Sequence, residues 1–256
     1  MPKDQFDFKQ FTIHQEKCAM KVGTDGVLLG AWAEEAGFRE QKFLDIGAGT
    51  GLISLMLAQR FPTARITAVE IDPSAAEQCQ ENFEASPWVE RLTIIPHSLQ
   101  EAEPIIEAHE TAYDEATREG GFDLIVSNPP FYNATLKPED EGRALARHKD
   151  ALPVEEIAAF AQRWLSDEGE LSLIYPTDYD QEVMTACILH GLKPLKICDV
   201  LTKVGKTCKR RMASFGRQDT PQASPLLRTR LAIRNEDGGY SEEYLHLVDD
   251  FYLWLK

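Results

Sequence analysis

Asn128-Pro129-Pro130-Phe131 brings together residue types that could do chemistry. It follows an apolar run of strand type, Leu124 to Val126, so a buried strand delivers a stiff polar turn to the edge of a sheet. The two prolines remove two backbone donors and fix two φ angles, which leaves the carbonyls of Asn128 and Pro129 as acceptors with no ladder to join. A planar amino group laid against this turn gives one hydrogen to the Asn128 side-chain oxygen and one to the Pro129 carbonyl, with Phe131 stacked on the attached ring. In isolation the same residues also read as a strand followed by an ordinary proline-rich loop, and the neighbouring motifs must decide.

Two further motifs precede it, each after its own apolar run. Gly47, Gly49 and Gly51 make a tight turn in Asp45-Ile-Gly-Ala-Gly-Thr-Gly51, and Glu70 ends the next run, followed by Ile71. A dinucleotide fingerprint requires G-x-G-x-x-G, and its last position is Leu52 here, which weakens a pyrophosphate reading. What remains is close backbone approach to a ligand, the positive end of a helix, and an acid placed to accept both hydroxyls of a ribose. A nucleoside whose other end is an amino acid satisfies both features. That is S-adenosylmethionine, with its methionine part at the glycine loop and its ribose on Glu70.

Such turns need a scaffold, and the chain alternates between strand and helix patterns to supply one. Strands are predicted at Lys42 to Ile46, Arg65 to Glu70, Leu92 to Ile95, before Asn128, and at Glu170 to Tyr175, Leu192 to Leu201, Arg211 to Phe215 and Leu227 to Ile233. Helices are predicted at Leu52 to Arg60, from Asp72-Pro73 to Glu84, at Pro153 to Leu165, at Asp178 to His190, and from Ser241 onward. Buried-type strands alternating with helices imply an α/β, doubly wound, parallel sheet with its ligand at the carboxyl ends of the strands. Upstream, Phe6, Phe8, Phe11 and Ile13 alternate as a hairpin or lid, and Thr24-Asp25 between Gly23 and Gly26 reads as a helix start. Without repeats or a low-complexity linker, 1–256 is expected to be one domain. Its parts are an amino-terminal lid and helix (1–41), a core (42–217) and a carboxy-terminal strand and helix (218–256), with Phe251, Tyr252, Leu253 and Trp254 docked on the body.

Composition narrows the class. No apolar run reaches the roughly 20 residues of a membrane span, and the start lacks the basic and apolar blocks of a signal peptide, so a soluble cytoplasmic protein is expected. Five cysteines (Cys18, Cys79, Cys187, Cys198, Cys208) contain no C-x-x-C pair, which indicates neither a disulfide framework nor a zinc site, and no metal is expected. Net charge is −15, yet eight basic residues and one acid lie between Lys193 and Arg217. A local basic face on an acidic body can still bind phosphate, because screening confines the relevant field to about 8–10 Å.

The three motifs resemble those of class I amino-methyltransferases. A closer resemblance rests on Phe8-Lys-Gln-Phe11, on Cys18 to Ala33 with Lys21-Val-Gly-Thr24-Asp25-Gly, on Gln80-Glu-Asn82, Ser86-Pro-Trp88 and Tyr240-Ser-Glu-Glu-Tyr244. These look like the bacterial methyltransferases that modify the adenine beside the anticodon of a valine tRNA, on its exocyclic amino nitrogen. The resemblance implies a Rossmann-like, seven-stranded, mostly parallel sheet with its last strand antiparallel, and tRNA as substrate. It implies a cofactor site of Lys21, Thr24, Asp25, Asp45, Gly47, Gly49, Gly51, Glu70, Ile71, Ser98 and Asn128, with Asn128, Pro129 and Phe131 catalytic. Where many relatives carry an acid after the third strand, this chain has Ser98. Arg147, His148, Lys206, Lys209, Arg210 and Arg211 are the candidates for tRNA phosphate, and no obligate protein partner is indicated. Other readings are a protein-glutamine methyltransferase, a guanine methyltransferase of ribosomal RNA, and a cofactor-binding RNA assembly factor without catalysis.

Overall fold

The structure, a computed structural model, describes residues 4–33, 41–109, 120–131, 152–220 and 225–254. The amino-terminal aromatics form a two-stranded antiparallel ribbon, β1 (Gln5–Asp7) with β2 (Thr12–His14), and α1 (Thr24–Trp32) follows. Strand and helix then alternate: β3 (Lys42–Ile46), α2 (Leu52–Arg60), β4 (Arg65–Val69), α3 (Pro73–Glu84), β5 (Leu92–Ile95), α4 (Leu99–His109), β6 (Phe122–Ser127), α5 (Val154–Trp164), β7 (Leu165–Pro176), α6 (Asp180–Leu189) and β8 (Leu192–Leu201). The chain closes with β9 (Arg210–Arg217), β10 (Leu227–Ala232) and α7 (Glu242–Val248).

The main sheet has the order β10-β8-β9-β7-β6-β3-β4-β5. Strands β3 to β7 pair in parallel, and β9 is antiparallel to both of its neighbours, β7 and β8. The expected seven strands with the last one reversed are β3 to β9; the sheet itself has eight. The outer edge of β8 leaves a row of backbone groups to be paired, and β10 covers it in parallel from Leu227 opposite Lys196 to Ala232 opposite Leu201.

Alternation along the strands fills a core on each face. Phe43, Leu124 and Val126 face one core with α1, α2 and the amino-terminal ribbon, while Leu44, Ile46 and Ile125 face the other with α5 and α6. Cys79 and Cys187 are fully buried in these layers, as their helical spacing indicated. Asp72 caps α3 by accepting from the amides of Ser74 (2.8 Å) and Ala75 (3.2 Å), and Ser241 caps α7 through the Tyr244 amide (3.1 Å).

Helix α1 starts at Thr24, as Thr24-Asp25 indicated, but its N-cap is Gly23 with no side-chain cap, and the Asp25 carboxylate reaches Arg210. Two local readings need correction. Strand β7 begins at Leu165, well before Glu170, because a bulge lets Phe122 face Leu165 while Leu124 faces Glu170. At the far end Phe251 and Tyr252 are buried, and Tyr252 pairs with Phe8, but Leu253 and Trp254 remain 51% and 49% exposed.

Candidate active site

Two clefts open side by side at the carboxyl ends of the parallel strands. One, of about 600 Å³, is lined by Cys18, Gly47, Glu70, Ile71, Ser98 and Asn128 among others. The other, of about 530 Å³, is lined by Lys21, Thr24, Asp25, Asn128 to Phe131, Tyr175 and Arg210. Met20, Gly47, Gly49, Asn128 and Pro130 border both. Asn128 therefore stands where the contents of one cleft meet the contents of the other.

The glycine loop is built for close approach. Gly47, Gly49 and Gly51 have φ of +73°, +55° and +79°, the left-handed region that disfavours side chains. A Cβ at Gly47 or Gly49 would enter open space, whereas one at Gly51 would strike Phe83 and Cys79. Glu70 Oε2 accepts the Gly49 amide (2.7 Å) and Oε1 the Asp72 amide (2.9 Å). Each oxygen retains acceptor capacity, enough for a ribose diol. Ile71, 48% exposed, offers an apolar face beside it. An open glycine cradle, a backbone-anchored carboxylate and an apolar plate are the features S-adenosylmethionine requires, so the residues present fit that group.

Asp45 sits behind this loop instead of in the cleft. It is fully buried, and Oδ2 accepts from the amide (3.1 Å) and hydroxyl (2.7 Å) of Ser54, which locks β3 to the first turns of α2. Its Oδ1 has no partner, and burial, against the help of Ser54, pushes the carboxyl up to about 7. A folded-state value raised above the unfolded one means that the unfolded chain ionises first as pH rises. Stability is then lost between about pH 4 and pH 7, by at most ~1.4 kcal/mol per pH unit. Asp45→Asn removes that titration. Urea titrations of the two proteins should show the variant gaining on the wild type across this window and the difference flattening above it; a constant difference would contradict the assignment.

The segment roofing the clefts is pinned by amides the sequence did not single out for this purpose. Asn82, buried in α3, accepts from the His14 amide (2.8 Å) and donates to the carbonyls of His14 (2.8 Å) and Thr50 (2.9 Å), joining the amino-terminal ribbon to the glycine loop. Gln15 accepts from the Val22 amide (2.8 Å) and Gln78 from the Lys17 amide (3.2 Å). Cys18 lines the roof, but burial first, and then Glu70 and Asp72, push its thiol up to about 11, which makes it inert. At the opposite wall Ser98 bonds Glu101, its hydroxyl 2.9 Å from Oε2.

The proline turn is fixed from behind. Ser127 Oγ donates to the Ile46 carbonyl (2.7 Å), so the end of β6 is tied to the strand that carries the glycine loop. Pro129 is buried, and Asn128 and Phe131 are half-buried. The Phe131 ring lies 4.8 Å from Tyr179 and 6.2 Å from Tyr175, whose hydroxyl bonds Asp180 (3.1 Å). Arg211, expected on the RNA, is mostly buried and bridges Asp180 and Asp199, the latter at 2.7 Å. Arg210 pairs with Asp25 (2.8 Å) across the mouth of the second cleft. Lys206 and Lys209 stand with Lys203 and Arg234 around a shallow basin of about 480 Å³. Arg147 and His148 lie outside the described residues. Among the described residues no group of three or more His, Cys, Asp or Glu is placed to hold a metal ion, and no helix is long and apolar enough to cross a membrane.

Comparison with known proteins agrees with this geometry. The family described as "Methyltransferase small domain" matches residues 22–190. A Porphyromonas gingivalis protein named tRNA1(Val) (adenine(37)-N6)-methyltransferase is 43% identical over 98% of this chain and 96% of its own length. One of the same name from Flavobacterium johnsoniae is 44% identical over 97% of this chain and 99% of its own. Among solved structures, a predicted O-methyltransferase from Agrobacterium tumefaciens superimposes with a TM-score of 0.66 at 19% identity, covering 89% of this chain and 96% of that one. TYW2 of Pyrococcus horikoshii, solved with MeSAdo, gives 0.53 at 11% identity, covering 86% and 74%. These two likenesses establish a shared fold.

Proposed function

The chain belongs to the bacterial tRNA1(Val) (adenine(37)-N6)-methyltransferase family, and from that premise we infer that it methylates the exocyclic amino nitrogen of an adenine in the anticodon loop of a valine tRNA. The observation that carries the reading is Asn128 bordering both clefts at once. When bound, S-adenosylmethionine supplies an electrophilic methyl group on a sulfonium. Gly47 and Gly49 are suited to its methionine end, Glu70 to its ribose and Ile71 to its adenine face, with Lys21 and Thr24 near the adjoining cleft; Gly51, packed against Phe83 and Cys79, lines neither cleft and shapes the loop from behind.

The adenine amino lone pair is delocalised into the ring and is a poor nucleophile. In our reading the Asn128 side-chain oxygen and the Pro129 carbonyl accept its two hydrogens, favour a pyramidal nitrogen and aim its lone pair along an in-line path, while Phe131 stacks on the ring. As the N–C bond forms and the S–C bond breaks, the nitrogen becomes acidic and releases its proton without a strong base. The target base must leave its loop stack, which costs a few kcal/mol that Phe131 stacking partly offsets. Arg211, with Asp180, supports Tyr175 behind Phe131.

The docking of Tyr252 on Phe8 supports a single domain over 1–256, and a tRNA substrate supports a cytoplasmic site of action. The test uses purified protein alone, labelled S-adenosylmethionine and unmodified valine tRNA. Label is expected in N6-methyladenosine when the nucleosides are resolved by mass spectrometry. Label in a protein glutamine or in guanine, with none in adenine, would overturn the assignment.

A further inference from the structure

Strand reversal at β9 has put a hairpin tip at the catalytic edge. Because β8 runs parallel to β7 and β9 returns against both, the 202–209 loop lies on the same edge as Asn128, with Arg210 facing Pro176 on one side and Val200 on the other. Counting strand spacings from β6, the loop is roughly 10–14 Å from that turn, and Arg234, which follows β10, about 19 Å. The loop and Arg234 are joined by a hydrogen bond from the Val204 amide to the Arg234 carbonyl (2.9 Å).

The charges at this tip differ from those beside them. Arg210 and Arg211 are already paired with Asp25, Asp180 and Asp199, whereas Lys203, Lys206 and Lys209 have no carboxylate partner among the described residues. Unpaired cations gathered with Arg234 around one basin repel one another, and on a chain of net charge −15 they form a local site for a polyanion. Beside the basin, the Arg234 guanidinium lies 4.4 Å over the Tyr240 ring, and Tyr240 stacks at 4.9 Å on Trp254. Trp254 is backed by Tyr252 at 5.2 Å, yet is 49% exposed. A half-exposed aromatic held in a ring stack beside unpaired cations is a combination suited to single-stranded RNA.

We propose that the Lys203-Lys206-Lys209-Arg234 basin and the exposed half of Trp254 form one RNA-docking surface. The basin takes the sugar-phosphate backbone of nucleotides flanking the target, and the exposed part of the Trp254 ring packs against an unpaired base. This surface rests on the reading of RNA as substrate, but its binding can be measured without methyl transfer. The experiment follows fluorescence anisotropy of an unmodified valine-tRNA anticodon stem-loop with the full chain over a range of salt concentrations. The triple variant Lys203→Ala, Lys206→Ala, Lys209→Ala is expected to flatten the log–log salt slope by about two, at ~0.7 per lost single-strand phosphate contact. Trp254→Ala is expected to weaken binding about tenfold at every salt concentration without changing the slope, and Trp254→Phe to recover most of that loss. Equilibrium dialysis with S-adenosylmethionine and a thermal melt check that each variant is folded.

A wild type that binds RNA in this pattern but transfers no methyl group sinks the enzymatic reading and leaves the surface standing. Methylation by the wild type, with affinity and slope unchanged in both variants, overturns the surface and leaves the enzyme. Failure of the wild type to bind the stem-loop, or its binding of an acidic peptide in preference, also overturns the surface.

Discussion

Asn128→Ala is expected to lower the rate of methyl transfer by about 10²–10³-fold while S-adenosylmethionine still binds. Asn128 is half-buried at the junction of the two clefts, and its amide is the only side-chain acceptor in a turn whose remaining acceptors are backbone carbonyls. Removing it leaves one amino hydrogen of the target unpaired and the lone pair in conjugation with the ring. The Pro129 carbonyl survives the substitution, which is why residual transfer is expected. Single-turnover rates and calorimetric cofactor affinity, measured on one preparation, separate the two effects. Undiminished transfer would sink the mechanism, and loss of cofactor binding in step with the rate would move Asn128 from chemistry to cofactor retention.

The largest expected loss of stability belongs to Gly51→Ala. At φ +79° an L side chain costs about 1–2 kcal/mol in backbone strain. The added Cβ also falls 2.7 Å from Phe83 Cε1 and 2.8 Å from Cys79 Sγ, both on α3, and such overpacking costs about 1–3 kcal/mol. Together about 2–5 kcal/mol are removed from a fold whose whole margin is about 5–15 kcal/mol. Gly49→Ala is the control. Its φ is also positive, but its Cβ meets nothing, so the urea midpoint should fall less while cofactor affinity falls more, because the methyl group fills the cleft. Equal midpoints for Gly51→Ala and wild type would show that the α3 contact is softer than its geometry.

The edge where the two clefts open was readable because its parts are local: a strand, a punctuating turn, and an acid or amide in the next position. Asp72 and Ser241 announced their helices for the same reason, since a cap acts within three residues. Asp45 was misplaced although the signal was present. Strand alternation puts it on the side of Phe43 away from Leu44 and Ile46, beneath α2, and not toward a ligand. Arg211 was beyond reach, because its two carboxylates arrive from α6 and β8 and only the tertiary fold brings them together. Asn82 was in view as part of a resemblance, but its grip on His14 spans 68 residues of chain. The extra strand β10 was visible as a strand; its place in the sheet was not, because an edge is chosen by what β8 leaves unpaired.

The antiparallel course of β9 has an evolutionary consequence. In a purely parallel sheet every segment at the carboxyl edge is also the entry to a crossover helix, so lengthening it disturbs the packing of a core layer. A hairpin tip carries no such duty. Residues 202–209 run from β8 to β9, bond to Arg234 and Thr177, and share no residue with the glycine loop or with Glu70. Charge changes on the side chains of this tip leave the glycine loop and Glu70 untouched, so the surface it presents can change while those two elements stay the same.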